Sequence, residues 1–188
     1  SFKEGETNFL LAHKENSTAI RLHIPGLFNI LNSAAGFITG NFLGISEKDI
    51  VKGLYDYVGC QRRFEKVGEA NEITVFDDYA QHPTEIVSIL RAGRQWFPKR
   101  RIIAVFQPHT YSRTKALFGD FAQSFQDADA GALMDIYASA RETDTLGVNS
   151  EILAKETQKY HINTYYTGGH EETIEFLFRI PTPAEVEE

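Results

Sequence analysis

FDDYAQHPTEIVSILRAGRQWFPKRRIIAVFQPHTYSRT, residues 76–114, is the stretch of this chain that decides the fold. The run ITVF (73–76) leads into it and the run RIIAVF (101–106) lies inside it, and uninterrupted β-branched runs are typical of strands buried on both faces of a parallel sheet. Between the runs, 83–97 has apolar residues at helical spacing, a proline at its first position and Glu85 in its first turn. The order predicts a strand, a helix and a parallel strand.

A polar loop follows each of these two strands, at 77–82 and at 107–113. In an open parallel sheet, ligands bind in the crevice outside the carboxyl ends of the strands. Both loops are dense in Asp, His, Tyr and Arg, so the pattern predicts a binding site rather than two plain connections.

The rest of the chain continues the alternation of strands and helices. The expected class is therefore α/β, a mostly parallel sheet with flanking helices, and a domain boundary is expected in the turn at 66–72. The tail, 181–188, is rich in Pro and Glu and is expected to fray. The pattern predicts a hairpin with strands at 8–13 and 18–24, and further strands at 131–136 and 163–166. It predicts helices at 27–43, 115–125, 151–160 and 170–178, and one more helix that begins after an N-cap at Ser46.

Composition limits the function classes. The chain has 188 residues, long enough for one domain and part of another, and its net charge of −7 disfavours a nucleic-acid binder. Its one cysteine, Cys60, excludes a disulfide framework and a multi-cysteine metal site. We expect no membrane association and a cytoplasmic location, because no apolar run approaches the roughly 18 residues of a membrane span and the first residues do not resemble a signal peptide.

The two polar loops supply the first candidate site residues. Asp78, at a strand end, is placed to accept hydrogen bonds from ribose hydroxyls, or else to cap the helix that begins at Pro83. His109 and Arg113 lie four residues apart before a helix and either converge on one anion or belong to an ordinary surface loop. The histidines do not have zinc-ligand spacing, so no metal site is predicted from them.

Two further pairs have a binding interpretation and a plain one. Asn29 and Asn32 are one helical turn apart and are either ligand contacts or exposed, capping amides. Arg62 and Arg63 either suit a phosphate or form a solvated strand edge. The chain contains no G-x-x-x-x-G-K-[ST] loop and no G-x-G-x-x-G after a strand, so it cannot supply a main phosphate cradle for a nucleotide.

Five motifs in order carry a family resemblance that reaches from about residue 20 to residue 155. Together they resemble the Mur ligase family, and DDYAxHPTEI with QPHTYSRT is highly specific. The motifs are IPGLFNILNSAAG (24–36), GCQRRFEKVG (59–68), FDDYAQHPTEI (76–86), AVFQPHTYSRT (104–114) and DIYASARET (135–143).

The resemblance implies the last part of a three-domain enzyme. Residues 1–70 would be the end of the central ATPase domain, and 71–188 most of a Rossmann-like C-terminal domain. It also implies an ATP-dependent ligase that joins L-alanine to UDP-N-acetylmuramate through an acyl phosphate in peptidoglycan precursor synthesis. Mg²⁺ would be held mainly by the rest of the central domain.

Site residues follow from the same resemblance. It implies that Asn29 and Asn32 contact the adenine of ATP, that Arg63 reaches the phosphates and that Asp78 holds the ribose. The pocket for L-alanine would be lined by Tyr79, Gln81, His109 and Arg113, with His109 and Arg113 as the catalytic residues.

Three features depart from the family pattern. Phe28 and Gln81 stand where the family usually has histidine. The Gly-Ala-Gly-Asp strand expected after the last helix is replaced by FLFRIPTPAEVEE (176–188), and the GTxGKT loop of the central domain does not occur in this sequence. The chain by itself is therefore expected to be inactive. The alternatives are a murein peptide ligase, which shares the first of the two specific motifs, and a non-catalytic α/β binding module derived from a Mur ligase.

Overall fold

The computed structural model describes residues 1–3, 5–13 and 16–180, with the backbone alone at position 13. These residues separate into two compact units. The first consists of Ser1–Ala80 and Ser88–Arg100, and the second of Gln81–Val87 and the chain from Arg101 onward. The tail that was expected to fray lies outside the described residues.

The first unit opens with a small antiparallel sheet. Strands β1 (Phe2–Lys3), β2 (Glu6–His13) and β3 (Asn16–Leu22) pair in that order, which confirms the predicted hairpin. Alternate side chains of β3 are buried, as expected for a strand with one face on a core. That core consists of Ile20, Leu22, Ile24, Phe37 and Ile50.

The two helices that the sequence predicted follow this sheet and contribute Phe37 and Ile50 to its core. Helix α1 spans Leu27–Phe42 and is followed by Gly44 at φ +79°, a conformation that glycine adopts without strain. Helix α2 spans Glu47–Asp56, and the Ser46 hydroxyl accepts a hydrogen bond from the backbone N–H of Asp49, as an N-cap does.

The run ITVF forms strand β5, but not the strand that the sequence predicted. Strands β4 (Glu65–Ala70) and β5 (Ile73–Asp77) form a two-stranded antiparallel hairpin, and among the described residues β5 pairs with β4 alone. Ile73 is 66% exposed and Val75 52% exposed, so burial on both faces was the wrong expectation. A two-stranded hairpin has one covered face, and on that face Phe76 stacks on Phe64 at 4.5 Å between ring centroids. Helix α3, Pro83–Trp96, follows as predicted.

The second unit contains the parallel sheet. Strands β6 (Ile103–Phe106), β7 (Ala130–Met134) and β8 (Thr164–Gly168) pair in that order, all parallel. Every residue of the central strand β7 is buried, whereas alternate residues of β6 are exposed. The α/β class with a mostly parallel sheet and flanking helices is confirmed, and full burial holds only for the central strand because an edge strand has fewer neighbours.

Four helices flank this sheet. Helices α4 (Tyr111–Ala116) and α5 (Phe118–Ala122) replace the single predicted helix at 115–125, because the backbone at Leu117 leaves helical geometry at φ −114° and ψ 24°. Helix α6 (Ser150–Thr157) is capped by Asn149, whose Oδ1 accepts from the N–H of Ile152 at 2.8 Å. Helix α7 spans His170–Arg179.

The expected domain boundary, at 66–72, falls within the hairpin of β4 and β5. Ala70 ends β4, and the turn that follows connects it to β5 in the first unit. The division into 1–70 and 71–188 stays a prediction.

Candidate functional site

Three predicted site residues lie together in the second unit. Arg113 is in helix α4, and its Nη1 donates to Oε1 of Gln81 at 2.9 Å and to the backbone oxygen of His109 at 2.8 Å. Gln81 precedes α3 and His109 follows β6, so the guanidinium joins the two polar loops of the sequence. One amino group carries both bonds, which leaves other N–H donors of the guanidinium for a ligand.

His109 is held by its ring and its backbone. The imidazole stacks on Tyr137 with 5.3 Å between centroids and 14° between planes, and the backbone of Tyr137 donates to Pro108 at 2.8 Å. Nδ1 of His109 is buried and has no hydrogen-bond partner among the described residues. Buried polar atoms nearly always have a partner, so this unpaired nitrogen singles out His109 as a candidate functional residue.

Glu142 is a site residue that the sequence reasoning missed. Its carboxylate accepts four hydrogen bonds, from the backbone N–H groups of Tyr111, Ser112 and Ser139 and from the hydroxyl of Ser112. The backbone N–H of Ser112 contributes most and the other donors add to it, and together they lower the pKa of Glu142 to about 2. The only signal in the sequence was an acid inside the motif at 135–143, and two of its three partner residues, Tyr111 and Ser112, are about thirty residues away in the chain.

Asp78 lies in the first unit and binds backbone. Oδ2 accepts from the N–H of Phe64 and Oδ1 from the N–H of Ala80, both at 2.8 Å. Neither amide belongs to the first turn of α3, and it is Glu85 that accepts from the N–H groups of Gln81 and His82, the two residues before that helix. Asp78 is therefore held by the backbone at both of its carboxylate oxygens.

The arginine pair packs around Tyr79 in the same unit. The guanidinium of Arg62 lies 4.5 Å from the ring centroid of Tyr79 and 3.6 Å from the carboxylate of Asp77, while that of Arg63 lies 6.0 Å from the ring. Tyr79 itself is 46% exposed. A cation on a half-exposed aromatic face is held in place without losing its access to an anion.

The two asparagines sit at the start of α1. Nδ2 of Asn29 donates to the backbone oxygen of Pro25 at 2.7 Å, and Nδ2 of Asn32 donates weakly to Oδ1 of Asn29 at 3.4 Å. Asn32 is exposed. The chain of amides orients Asn29 and leaves Asn32 with unused donor and acceptor capacity.

A separate cavity of about 510 Å³ lies within the first unit. Its walls include the ring cluster Phe64, Phe76, Trp96 and Phe97, and none of the four residues predicted to bind ATP lines it. This cavity therefore does not coincide with the predicted nucleotide site.

Neither a cluster of metal ligands nor a membrane-spanning helix occurs within residues 1–3, 5–13 and 16–180. Within these ranges, no group of three or more His, Cys, Asp or Glu side chains is arranged to hold a metal ion. No helix in the same ranges is both long enough and apolar enough to cross a membrane.

Comparison with known proteins identifies relatives along nearly the whole chain. The family described as "Mur ligase, glutamate ligase domain" matches residues 62–183. The UDP-N-acetylmuramate–L-alanine ligase of Clostridium tetani is 41% identical over 168 residues, which cover 89% of this chain and 36% of the relative. The enzyme of the same name from Salinibacter ruber is 47% identical over 146 residues, 78% of this chain and 30% of the relative.

Solved structures show the same fold. The crystal structure of UDP-N-acetylmuramate–alanine ligase from Thermotoga maritima superposes with a TM-score of 0.77 at 23% identity, covering 98% of this chain and 39% of that one. Folylpolyglutamate synthase from the same organism gives a TM-score of 0.62 at 22% identity, covering 93% of this chain and 39% of that one. At these identities the two structures indicate a shared fold and nothing about function.

This chain matches only part of the length of each curated relative. This chain spans 30% to 41% of the length of the curated relatives. The family profile covers well over half of the chain, and the resemblance read from the five motifs is thereby confirmed. The chain belongs to the Mur ligase family.

Proposed function

We propose that this chain is part of an ATP-dependent ligase that joins L-alanine to UDP-N-acetylmuramate in the synthesis of peptidoglycan precursors. The single observation that carries the proposal is the convergence of Gln81, His109 and Arg113, three residues of the predicted amino-acid pocket, in one compact unit. It is supported by curated relatives of that name at 41% and 47% identity. In the proposal, 1–70 completes the central domain and 71–188 forms the C-terminal domain.

The proposed reaction has two steps. The muramoyl carboxylate attacks the γ-phosphate of ATP, which releases ADP and leaves an acyl phosphate. The amine of L-alanine then attacks the acyl carbon, the tetrahedral intermediate expels inorganic phosphate, and the amine loses a proton as the amide forms. Negative charge builds on phosphoryl and acyl oxygens in both steps, so donors oriented in advance are the main catalytic device. When bound, Mg²⁺ supplies charge neutralisation at the phosphates, and its ligands belong to parts of the central domain outside this chain.

Arg113 binds the carboxylate of L-alanine. Its guanidinium is planar and always charged, and its fork of donors matches a carboxylate in two parallel hydrogen bonds. Gln81 and the backbone of His109 hold the guanidinium in one orientation through a single nitrogen. The amide of Gln81 performs this task without titrating, so it replaces the histidine of the family pattern in holding the arginine.

His109 is the third residue of the amino-acid pocket in this proposal. Substrate binding gives its buried Nδ1, which has no partner among the described residues, a polar group to pair with. The imidazole helps to position the amine for its attack, and positioning is the larger part of catalysis in a reaction of this kind. Tyr79, the fourth residue that the resemblance implies, belongs to the first unit and has a half-exposed ring.

ATP is bound by residues of the first unit. Asn29 and Asn32 present amides with the donor and acceptor pattern that an adenine edge requires, and Asp78, whose carboxylate is oriented by two backbone N–H groups, holds the ribose. Arg63 is exposed beside Tyr79 and pairs with phosphate. Nucleotide substrates and a single cysteine, Cys60, fit a cytoplasmic enzyme.

The test uses the complete gene product that contains this sequence. We expect phosphate release that requires UDP-N-acetylmuramate and L-alanine together, and none from the 188-residue chain alone. Replacing Arg113 by Ala removes one partner of an ion pair, which costs about 2 to 5 kcal/mol and raises the KM for L-alanine by roughly 30-fold or more. Replacing Asp78 by Asn is expected to raise the KM for ATP instead.

The matched control is Arg179→Ala, at the exposed end of α7, where the side chain makes one ion pair with Glu175. It should leave both Michaelis constants at the wild-type value. Phosphate release that does not depend on L-alanine, or an Arg113→Ala enzyme with an unchanged KM for L-alanine, would remove the proposal.

A further inference from the structure

The segment after β7, residues 135–142, lies along the segment after β6, residues 107–113, through a series of contacts. Nε2 of Gln107 donates to the backbone oxygen of Asp135 at 3.2 Å, and the N–H of Tyr137 donates to Pro108 at 2.8 Å. The ring of Tyr137 stacks on His109, and Glu142 ends the series at the start of helix α4.

We infer that Glu142 is a positioning residue for amino-acid binding: it fixes the first turn of α4 and through that turn sets the guanidinium of Arg113. The inference rests on the proposed function, because it assigns Glu142 to the site at which L-alanine would bind.

Both carboxylate oxygens are used. Oε1 accepts from the N–H of Ser112 at 2.8 Å and from its hydroxyl at 2.7 Å, and Oε2 accepts from Tyr111 at 3.0 Å and from Ser139 at 3.2 Å. The two helical amides are those of the first and second residues of α4, which have no partner within the helix. Glu142 therefore supplies the cap of α4 from a distant part of the chain.

The helix is only six residues long, and Thr110, its own N-cap, makes further hydrogen bonds to the first turn. The Thr110 hydroxyl accepts from the N–H of Arg113 at a long 3.4 Å and bonds to the hydroxyl of Ser112 at 3.0 Å, and its backbone oxygen accepts from the N–H of Thr114 at 2.9 Å. An ionised carboxylate at a helix N-terminus also interacts favourably with the backbone dipoles. Arg113 follows Ser112 directly, so a shift of the Ser112 backbone moves the guanidinium away from Gln81.

The protonation state of Glu142 agrees with this role. Hydrogen bonds led by the backbone N–H of Ser112 lower its pKa to about 2, so the carboxylate stays ionised throughout the pH range in which a ligase is assayed. An amide at this position has one oxygen acceptor instead of two, and its NH₂ group would face N–H donors. Glu142→Gln is therefore a nearly isosteric change that breaks about half of the contact.

A purely structural acid would behave differently in kinetics. If Glu142 only stabilised the fold, its replacement would lower the amount of active enzyme and leave both Michaelis constants unchanged. A positioning residue for Arg113 raises the KM for the amino acid and leaves the KM for ATP alone, because the predicted ATP residues belong to the other unit.

The first experiment measures amide hydrogen exchange in the 188-residue chain. We expect the amides of Tyr111, Ser112 and Ser139 to exchange about tenfold faster in Glu142→Gln than in wild type. The matched control is Asp144→Asn, which removes one charge from the same loop and keeps the Oδ1 that accepts from Leu146 at 2.9 Å. That variant should exchange like wild type at all three amides.

The second experiment uses the complete gene product. We expect Glu142→Gln to raise the KM for L-alanine about tenfold or more and Glu142→Asp to recover part of that loss, with the KM for ATP within twofold of wild type. Asp144→Asn should match wild type.

The outcomes separate this inference from the proposed function. A wild-type protein without phosphate release dependent on L-alanine would refute the proposed function, whatever the exchange rates at α4. An active wild type whose Glu142→Gln variant keeps its KM for L-alanine, or shows equal increases for both substrates, would overturn the inference alone. Unchanged exchange at Ser112 would overturn it at the structural step.

Discussion

The hydrogen bond between Gln81 and Arg113 offers the sharpest test of the candidate site, because its energy can be measured in the 188-residue chain without substrate. Nη1 of Arg113 donates to Gln81 and to the backbone of His109 at 2.9 and 2.8 Å. A hydrogen bond to a charged group is worth about 1.5 to 3 kcal/mol, and partial exposure of both side chains lowers this to about 1 kcal/mol for each bond.

These values predict the outcome of a double-mutant cycle. Gln81→Ala breaks one bond and should cost about 1 kcal/mol, while Arg113→Met breaks both and should cost about 2 kcal/mol. The double variant has no third bond to lose, so it should also cost about 2 kcal/mol, and the coupling energy is about 1 kcal/mol.

The assay must follow the second unit, because two compact units need not unfold together. Native-state hydrogen exchange at the amide of Leu133, in the fully buried central strand β7, reports the unfolding of that unit. A factor of ten in its exchange rate corresponds to about 1.4 kcal/mol.

The control pairs Arg113→Met with Gln123→Ala, whose amide donates to the backbone oxygen of Gly119 and shares no partner with Arg113. Those two changes should add within about 0.5 kcal/mol. A coupling energy below about 0.3 kcal/mol between Gln81 and Arg113 would contradict the proposed role of Gln81, since it would mean that the bond does not hold the guanidinium.

Two further predictions concern stability. Gly53→Ala, at a position in α2 where an added Cβ meets nothing within 4 Å, should stabilise the first unit by about 0.5 to 1 kcal/mol, followed through the fluorescence of Trp96. Gly40→Ala should instead destabilise it by about 1 kcal/mol, because the new Cβ would lie 2.8 Å from Cδ1 of Ile50, and Ile50→Val should relieve part of the cost. The folded pKa of Glu142 lies below its ordinary value. Its contribution to stability is therefore present at neutral pH and is lost as the pH falls from about 5 to 2. The difference in melting temperature between wild type and Glu142→Gln should shrink over that range.

The results that would contradict these two predictions are simple to recognise. Equal effects of alanine at positions 40 and 53 would mean that α1 and α2 do not approach closely at Gly40. A melting-temperature difference at Glu142 that is as large at pH 2 as at pH 7 would mean that the ionised carboxylate is not the capping group of α4.

Local features of the fold were predictable because their causes lie within a few residues. Ser46 and Asn149 cap their helices as their positions before amphipathic stretches indicate. Helix α1 (Leu27–Phe42) and helix α3 (Pro83–Trp96) begin and end within one residue of the expected ranges, 27–43 and 83–97. Each of these signals acts through backbone conformation or a short hydrogen bond.

Strand pairing was not predictable in the same way. A short β-branched run such as 73–76 fits a buried parallel strand and a hairpin strand equally well, because both have extended backbone and apolar side chains. Pairing with β4 was decided by the turn at Asn71 and Glu72, both at positive φ, which reverses the chain. The break in the helix at Leu117 was not predictable for a related reason. Phe121, just after the break, packs against Phe106 in a strand that is distant in the sequence, and local spacing does not encode such a contact.

From the sequence alone came the α/β class, most helices and strands, membership of the Mur ligase family and the identity of Arg113, His109 and Gln81 as candidate residues. Motifs and periodicity encode these because they are properties of neighbouring residues. Tertiary structure alone decided that β6 and β8 flank β7, that Arg113 bonds to Gln81, and that Glu142 caps helix α4. Those contacts join residues about thirty positions apart, and only the packing of the whole unit brings such residues within hydrogen-bond distance.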